Sequence, residues 1–244
     1  MLNKDNTMKK TINYLSKKAG NIAISTEQNN VTVHTSRLEF KSLNQQSKIH
    51  LIRHFSKLLG NQNNTKLFFE GKPWSKERVI AFIHHEGQKW DKGEQFSVFA
   101  VYNRTTQKFI GSLHVYYVPK EYASIGQGHE NVAEIAYILD KTAWGKGYGT
   151  EIAVVGKKYI KHLVAQAEIN SPAHQLNGIV ATVHPENEGS RKILEKTLKN
   201  FEPEPFVKYG GQPRVLFYNR LSPKAVTKQV ENPLPLKVRL KSID

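Results

Sequence analysis

Three glycines stand at alternate positions, Gly145, Gly147 and Gly149, in the run W-G-K-G-Y-G-T-E from Trp144 to Glu151. Glycine removes the side chains that would hold an anion off the backbone. Behind them Ile152, Val155, Tyr159, Ile160 and Leu163 recur at helical spacing, so the free amides of a helix start should fall within this turn. Such a start binds phosphate through its N–H groups and its dipole. Ahead of the turn, Ala133, Ile135, Tyr137 and Leu139 alternate with Glu134, Ala136 and Ile138, a strand pattern with one acid in an apolar run. A lone carboxylate among apolar neighbours should have a raised pKa and could serve as a proton acceptor.

Spacing separates this cradle from two others. In a dinucleotide G-x-G-x-x-G the last glycine position is Thr150, and the next strand pattern, 178–184, ends in His184 instead of an acid about 20 residues on. A nucleoside-triphosphate loop needs Lys directly after its last Gly, whereas Lys146 lies inside the turn.

The run Trp144 to Thr150 instead resembles the acyl-coenzyme A pyrophosphate loop of the GCN5-related N-acetyltransferases, the GNAT superfamily. Thr35-Ser-Arg-Leu-Glu-Phe-Lys-Ser-Leu43 is similar to the opening of the ribosomal-protein (Rim-type) branch. Phe109 to Leu113 and Glu134 to Leu139 are similar to its third and fourth strands, and Asn187-Glu-Gly-Ser190 with Ile193-Leu-Glu-Lys196 to its N-x-x-S-x-x-x-L-E-K. Trp144 departs from the Gln or Arg of the wider family, and Glu195 to Phe201 alters the usual E-K-L-G-F ending. Many relatives carry a Tyr seven residues after the motif's Asn, a position held here by Leu194.

The resemblance implies an α/β (α+β) GNAT fold, one mixed, twisted, mostly antiparallel sheet flanked by helices. It implies acetyl-CoA as co-substrate and no metal. Pyrophosphate would meet Trp144, Gly145, Lys146, Gly147, Tyr148, Gly149 and Thr150. Pantetheine would lie against the backbone of Tyr137, Ile138 and Leu139, with Asn187 bonding the arm. Glu134 is the candidate base, Ser190 the candidate donor to the leaving thiolate, and His114 and His184 are fallback bases. The implied reaction moves an acetyl group to a primary amine, as in the Rim type to a protein α-amine. A small-molecule amine is the alternative acceptor, and a basic ribosome- or RNA-binding protein with a vestigial site is the rival from another class.

The remaining elements must position this unit. Met1 to Asn30 is polar and basic, with at most a loose helix around Thr11 to Lys18. Val31 to Leu43 is the expected first strand and Ser47 to Leu59 an amphipathic helix stopped by Gly60. A polar loop, 61–73, is interrupted by Leu67, Phe68 and Phe69. Ser75 caps the next helix, and Gln95 to Tyr102 pairs with Lys108 to Val118 as a hairpin. Pro119 to Asn131 is a candidate acceptor-side lid, and Phe206 to Tyr209 with Arg214 to Asn219 a closing hairpin. The expected domain therefore spans 31–221, between an extension at 1–30 and a Pro-containing basic tail at 222–244.

Composition sets the outer limits. The 244 residues contain no cysteine, which excludes disulfides, Cys-based zinc sites and a Cys nucleophile and fits a reducing, cytoplasmic setting. No apolar run approaches the ~18 residues of a membrane span. His84-His85-Glu86 lacks the H-E-x-x-H spacing of a zinc helix. The net charge of +15 suits an acidic partner, such as an acidic or ribosomal protein; nucleic acid is possible, but the charge is spread along the sequence and no nucleic-acid motif appears.

Overall fold

The computed structural model describes residues 8–126 and 128–221. Ten strands form one sheet in the order β1-β2-β3-β4-β5-β6-β7-β8-β10-β9. They are β1 Lys10–Ser16, β2 Gly20–Glu27, β3 Asn30–His34, β4 Leu38–Ser42, β5 Val98–Asn103, β6 Phe109–Val118, β7 Val132–Leu139, β8 Gly178–Val183, β9 Asn200–Lys208 and β10 Gln212–Arg220. Neighbours run antiparallel except β7 and β8, which are parallel. The helices are α1 Lys48–Leu59, α2 Gln62–Thr65, α3 Lys76–Asp91, α4 Tyr148–Ala165 and α5 Glu188–Thr197.

Successive side chains of a strand face opposite ways, and this sorts the helices. On β6, Leu113 lies against Gly156 of α4, while His114 stacks on Phe82 of α3 with centroids 5.7 Å apart. So α4 and α3 cover opposite faces. Gly156 makes the first contact possible, because a methyl there would lie 3.0 Å from Leu113 and 3.1 Å from Ile135.

Two stretches differ from the sequence expectations. The loose helix expected around Thr11 to Lys18 is instead strand β1 and its turn into β2, and Ile22 and Ile24 of this hairpin are fully buried in the main core. Residues 10–27 thus extend the same sheet beyond β3. Alternation of Ile12 and Tyr14 with Thr11, Asn13 and Leu15 is a period of two that the polar composition obscures. The single strand expected over Val31 to Leu43 is a hairpin, β3 and β4, turned at Thr35 to Arg37, where Thr35 N donates to the Leu38 carbonyl and Leu38 N donates to Thr35 Oγ1. The tail 222–244 lies outside the described residues.

Candidate active site

β7 and β8 pair through only three residues, Val132 with Gly178, Ala133 with Ile179 and Glu134 with Val180. Beyond Glu134 β7 stays on β6 to Leu139, while β8 stays on β10 to Val183. The strands therefore splay, and a cleft opens between them, lined by Ala136, Tyr137, Thr182, Asn187, Ser190 and Tyr209 among others. Asp140 N donates to Ile110 O, and the Ile138 carbonyl lies against Gly111. Alternation turns the backbone of Tyr137 and Leu139 the other way, toward the cleft. The Leu139 carbonyl is already engaged, accepting from Trp144 Nε1 at 2.9 Å. That bond gives Trp144 a role as an indole pin between the strand end and the glycine turn.

The turn itself ends with Gly147 as the N-cap of α4, at φ 77° and with no side chain capping the helix start. Gly145 has φ 73°, and nothing lies within 4 Å of where a Cβ would stand. The first-turn amides of Tyr148, Gly149 and Thr150 have no partner within the helix. The opening of the domain braces this cradle from below. Arg37 donates from Nε at 2.8 Å to Glu151 Oε2 and from Nη1 at 3.0 Å to the Lys146 carbonyl, and Thr35 Oγ1 donates to Glu151 Oε1. Glu151 is 2% exposed, so the carboxylate is fixed inside the fold while Arg37 reaches it from the half-exposed edge. Tyr148 packs under the Arg37 guanidinium and accepts from Asn103 Nδ2, while Lys146 Nζ turns back to the Thr142 carbonyl. An uncapped 18-residue helix beside a cleft edged with strand amides fits a pyrophosphate bearing an extended amide arm.

Glu134 and Ser190 stand on different sides of the sheet. Tyr137 faces α4 and α5, where its hydroxyl lies 3.0 Å from Ser190 Oγ. Burial raises the Tyr137 pKa well above its ordinary value, with the Ser190 bond opposing. Asn187 Oδ1 accepts from Ser190 N at 3.1 Å, so Asn187 caps α5 and leaves the Ser190 hydroxyl to Tyr137. Glu134, three positions earlier, points to the opposite face.

Apolar neighbours were the expected surroundings of Glu134, but the structure surrounds it with polar groups. Lys208 Nζ donates to both carboxylate oxygens at 3.0 and 2.9 Å, Thr182 Oγ1 to Oε1 at 3.2 Å and Tyr209 OH to Oε1 at 3.4 Å. Lys208 also contacts the Tyr122 hydroxyl and lies 3.3 Å from Glu121. Burial would lower the Lys208 pKa, yet Glu134 and the other acidic groups outweigh it and raise the value. Glu134 lies one hydrogen bond behind the cleft, whose lining includes Thr182 and Tyr209. Lys208, Tyr209 and Tyr122 carried no sequence signal as site residues; a Lys-Tyr pair entering a Gly-Gly turn is an ordinary hairpin end.

The two fallback histidines lie elsewhere. His114 is fully buried, both ring nitrogens are engaged by Ser112 and Tyr116, and burial pushes its pKa down to about 3. His184 Nδ1 accepts from Glu186 N at 3.2 Å, and its pKa is lowered by partial burial and by Arg214.

Residues 61–73 fold over the face of the sheet that carries Glu134, where Phe69 packs edge-on against Tyr209. Arg214, 2% exposed, donates to the Leu67 and Phe69 carbonyls at 3.0 and 2.5 Å and so holds Phe68 and Phe69 at the cleft. Segment 119–131 is anchored at the same end by Tyr122, fully buried against Phe206.

The acetyltransferase (GNAT) domain model matches residues 37–197. The chain belongs to the GNAT acetyltransferase family. This GNAT acetyltransferase uses acetyl-CoA as co-substrate, and the cradle and cleft just described fit it. Its fold is shared with a GNAT-family acetyltransferase from Bacillus anthracis at 16% identity and TM-score 0.54, over 78% of this chain and 97% of that one. It is shared equally with a ribosomal-protein α-N-acetyltransferase solved in complex with coenzyme A, at 13% and 0.53 over 76% and 95%. A third neighbour is an acetyl transferase from Salmonella typhimurium that modifies the N-terminal serine of a 50S ribosomal subunit protein, at 13% and 0.52 over 77% and 96%. No curated protein matches the chain by sequence. Among the described residues, no helix is long and apolar enough to cross a membrane, and no group of three or more His, Asp or Glu could hold a metal ion.

Proposed function

We propose that this acetyltransferase acts on a protein N-terminal α-amine, with the cofactor held by the residues from Trp144 to Thr150, by the cleft-facing backbone of Tyr137 and Leu139 and by Asn187; Ile138, expected beside them, instead turns its backbone to β6. The observation that carries the reading is the placement of Glu134 where β7 and β8 part, one hydrogen bond behind the cleft and paired with Lys208. Acetyl-CoA, when bound, supplies a thioester whose carbonyl needs a donor where negative charge develops. The cleft-facing amides of β7 are such donors.

Glu134 is the proton acceptor for the amine in this reading, through Oε2. Thr182, Tyr209 and Lys208 all reach Oε1, while Oε2 takes a Lys208 bond and keeps acceptor capacity toward a water. The neutral fraction of the acceptor amine decides how much help this carboxylate must give. At pH 7 an α-amine is already roughly a tenth neutral, whereas a Lys side chain is neutral only to about a few parts in ten thousand. The α-amine therefore suits the site, and the acceptor of the Salmonella fold neighbour belongs to the same class. Ser190, bonded to Tyr137 on the other face, donates to the leaving thiolate.

A panel of peptides with free or blocked N-termini, with and without Lys, tests this. Acetylation is expected at the α-amine with Lys peptides slower by at least about tenfold in kcat/KM. Preference for the Lys side chain, or for small amines over every peptide, would overturn it.

A further inference from the structure

Lysines far apart in the sequence converge on one strip beside α4. Lys157, Lys158 and Lys161 are half-buried on that helix, between the β1–β2 turn, which carries Lys18, and the end of α5, followed by Lys199. Lys18 Nζ donates to the Lys196 carbonyl at 2.5 Å and Lys157 Nζ to the Thr197 carbonyl at 2.8 Å, so hairpin, α4 and α5 meet there. Lys158 lies over the Tyr14 ring of β1. Among the described residues, none of these five lysines has a carboxylate within 4.0 Å. Burial, then the charges of Lys161, Lys199, Lys158 and Lys18, lower the Lys157 pKa to about 8. A single-sign cluster of this kind opposes folding by self-repulsion, and an anionic partner relieves it.

We propose that this strip binds the phosphate backbone of a nucleic-acid strand. Three features choose that partner. The five cations are all Lys, which meet phosphate oxygens as point charges without a fixed bidentate geometry, as sequence-independent backbone binding requires. The strip also lacks an apolar anchor of the kind that dominates protein–protein contacts or enters a lipid surface. Leu15, 85% exposed, alternates with Tyr14 and so points away from α4, and Phe201 is stacked on Phe217. Finally, a phosphodiester chain presents charge continuously, matching cations that follow a helix at about 6 Å per turn of four residues. Lys157 lies ten residues, about 15 Å, along α4 from Gly147, so the strip is separate from the cofactor cradle. Lys18 lies outside the matched family region, in the β1–β2 hairpin.

The test is fluorescence polarisation of the full chain with a labelled 20-nucleotide single-stranded RNA between 50 and 200 mM salt. K158Q/K199Q removes two charges without touching the Lys157 or Lys18 hydrogen bonds, and K48Q/K76Q removes two exposed charges on the α1 and α3 side. The strip variant should weaken binding at least about tenfold and flatten the log–log salt slope by about 1.4, at ~0.7 per phosphate contact. The control should stay within about twofold, and both should bind coenzyme A as the wild type does. No binding at 50 mM salt, equal loss in strip and control variants, or equal affinity for poly-glutamate or anionic vesicles would each overturn the proposal.

Discussion

Lys208 Nζ sits 2.9 Å from Glu134 Oε2, both side chains less than a tenth exposed, at the point where the two parallel strands separate. The pair changes what a substitution at Glu134 measures. Glu134→Gln would remove the proton acceptor and also leave a buried ammonium with only the half-exposed Glu121 as counter-charge, which costs somewhat less than the ~3–5 kcal/mol of a fully unpaired buried charge. The double variant Glu134→Gln/Lys208→Met removes both charges at similar volume. If Glu134 is the base, both variants should lose roughly 10²- to 10⁴-fold in kcat, while the double variant recovers most of the thermal stability lost by the single one. Raising the pH should restore part of kcat in both, since more acceptor amine is then neutral. A double variant with wild-type kcat would leave Glu134 a purely structural acid.

Ser190 offers a cleaner separation, because its amide takes the Asn187 cap and its hydroxyl meets Tyr137. Ser190→Ala should lower kcat by roughly 10²-fold at unchanged melting temperature. Asn187→Ala should instead cost about 1 kcal/mol of stability through the lost cap. Stopped-flow acetyl transfer beside thermal unfolding gives both numbers, and an unaffected kcat in Ser190→Ala would end its assignment.

Gly147 and Arg37 divide the cradle into contact and support. Gly147→Asp places a carboxylate at an uncapped helix start and should weaken coenzyme A binding at least about tenfold, ~1.4 kcal/mol, with native circular dichroism. Arg37→Gln leaves Glu151 buried with only Thr35 and should lower stability as well as affinity. Because Arg37 is about half exposed, we expect ~1–2 kcal/mol, below the cost of a fully buried pair. Calorimetry on both variants decides, and undiminished affinity in Gly147→Asp would remove the cradle from the cofactor site.

The cradle was legible because its chemistry is local: alternate glycines, a strand before and an apolar helical period after are all within about 30 residues. The same holds for the Ser75 and Asn187 caps, each of which accepts from an amide three residues on. Lys208 was not legible, since 74 residues separate it from Glu134 and only the closing hairpin brings it back. The basic strip was hidden for the same reason. Charge that looks evenly spread along the sequence is gathered by a hairpin at Lys18, a helix at Lys157 to Lys161 and a helix end at Lys199. Period-two alternation over Lys10 to Ser16 was present but lay in a polar composition, and β1 is tied to α4 by a long-range contact, Tyr14 OH to His162 Nδ1 at 2.8 Å.

That contact leads to the acid stability of the fold. His162 and His114 are both buried, and burial pushes their pKa values down to about 4 and about 3, with Lys10 and Lys89 as the respective secondary causes. In the unfolded chain each titrates near ~6.5. Between these limits the unfolded state binds the proton and the folded state does not, so stability falls as pH falls, beginning below about 6.5. Carboxylates held low in the fold, such as Glu39 and Glu70, add their own loss only below the ordinary Glu range near ~4.3. The window from pH 6.5 to 5 therefore isolates the histidines. Each should contribute about 1.6 kcal/mol of lost stability across it, the slope rising toward ~1.4 kcal/mol per unit as the unfolded imidazole becomes fully protonated. Urea unfolding at intervals of half a pH unit measures the slope. His114→Gln and His162→Gln, whatever their absolute stability, should each flatten it by close to one proton. A wild-type slope that is already flat above pH 5 would show that neither imidazole is held neutral by the fold.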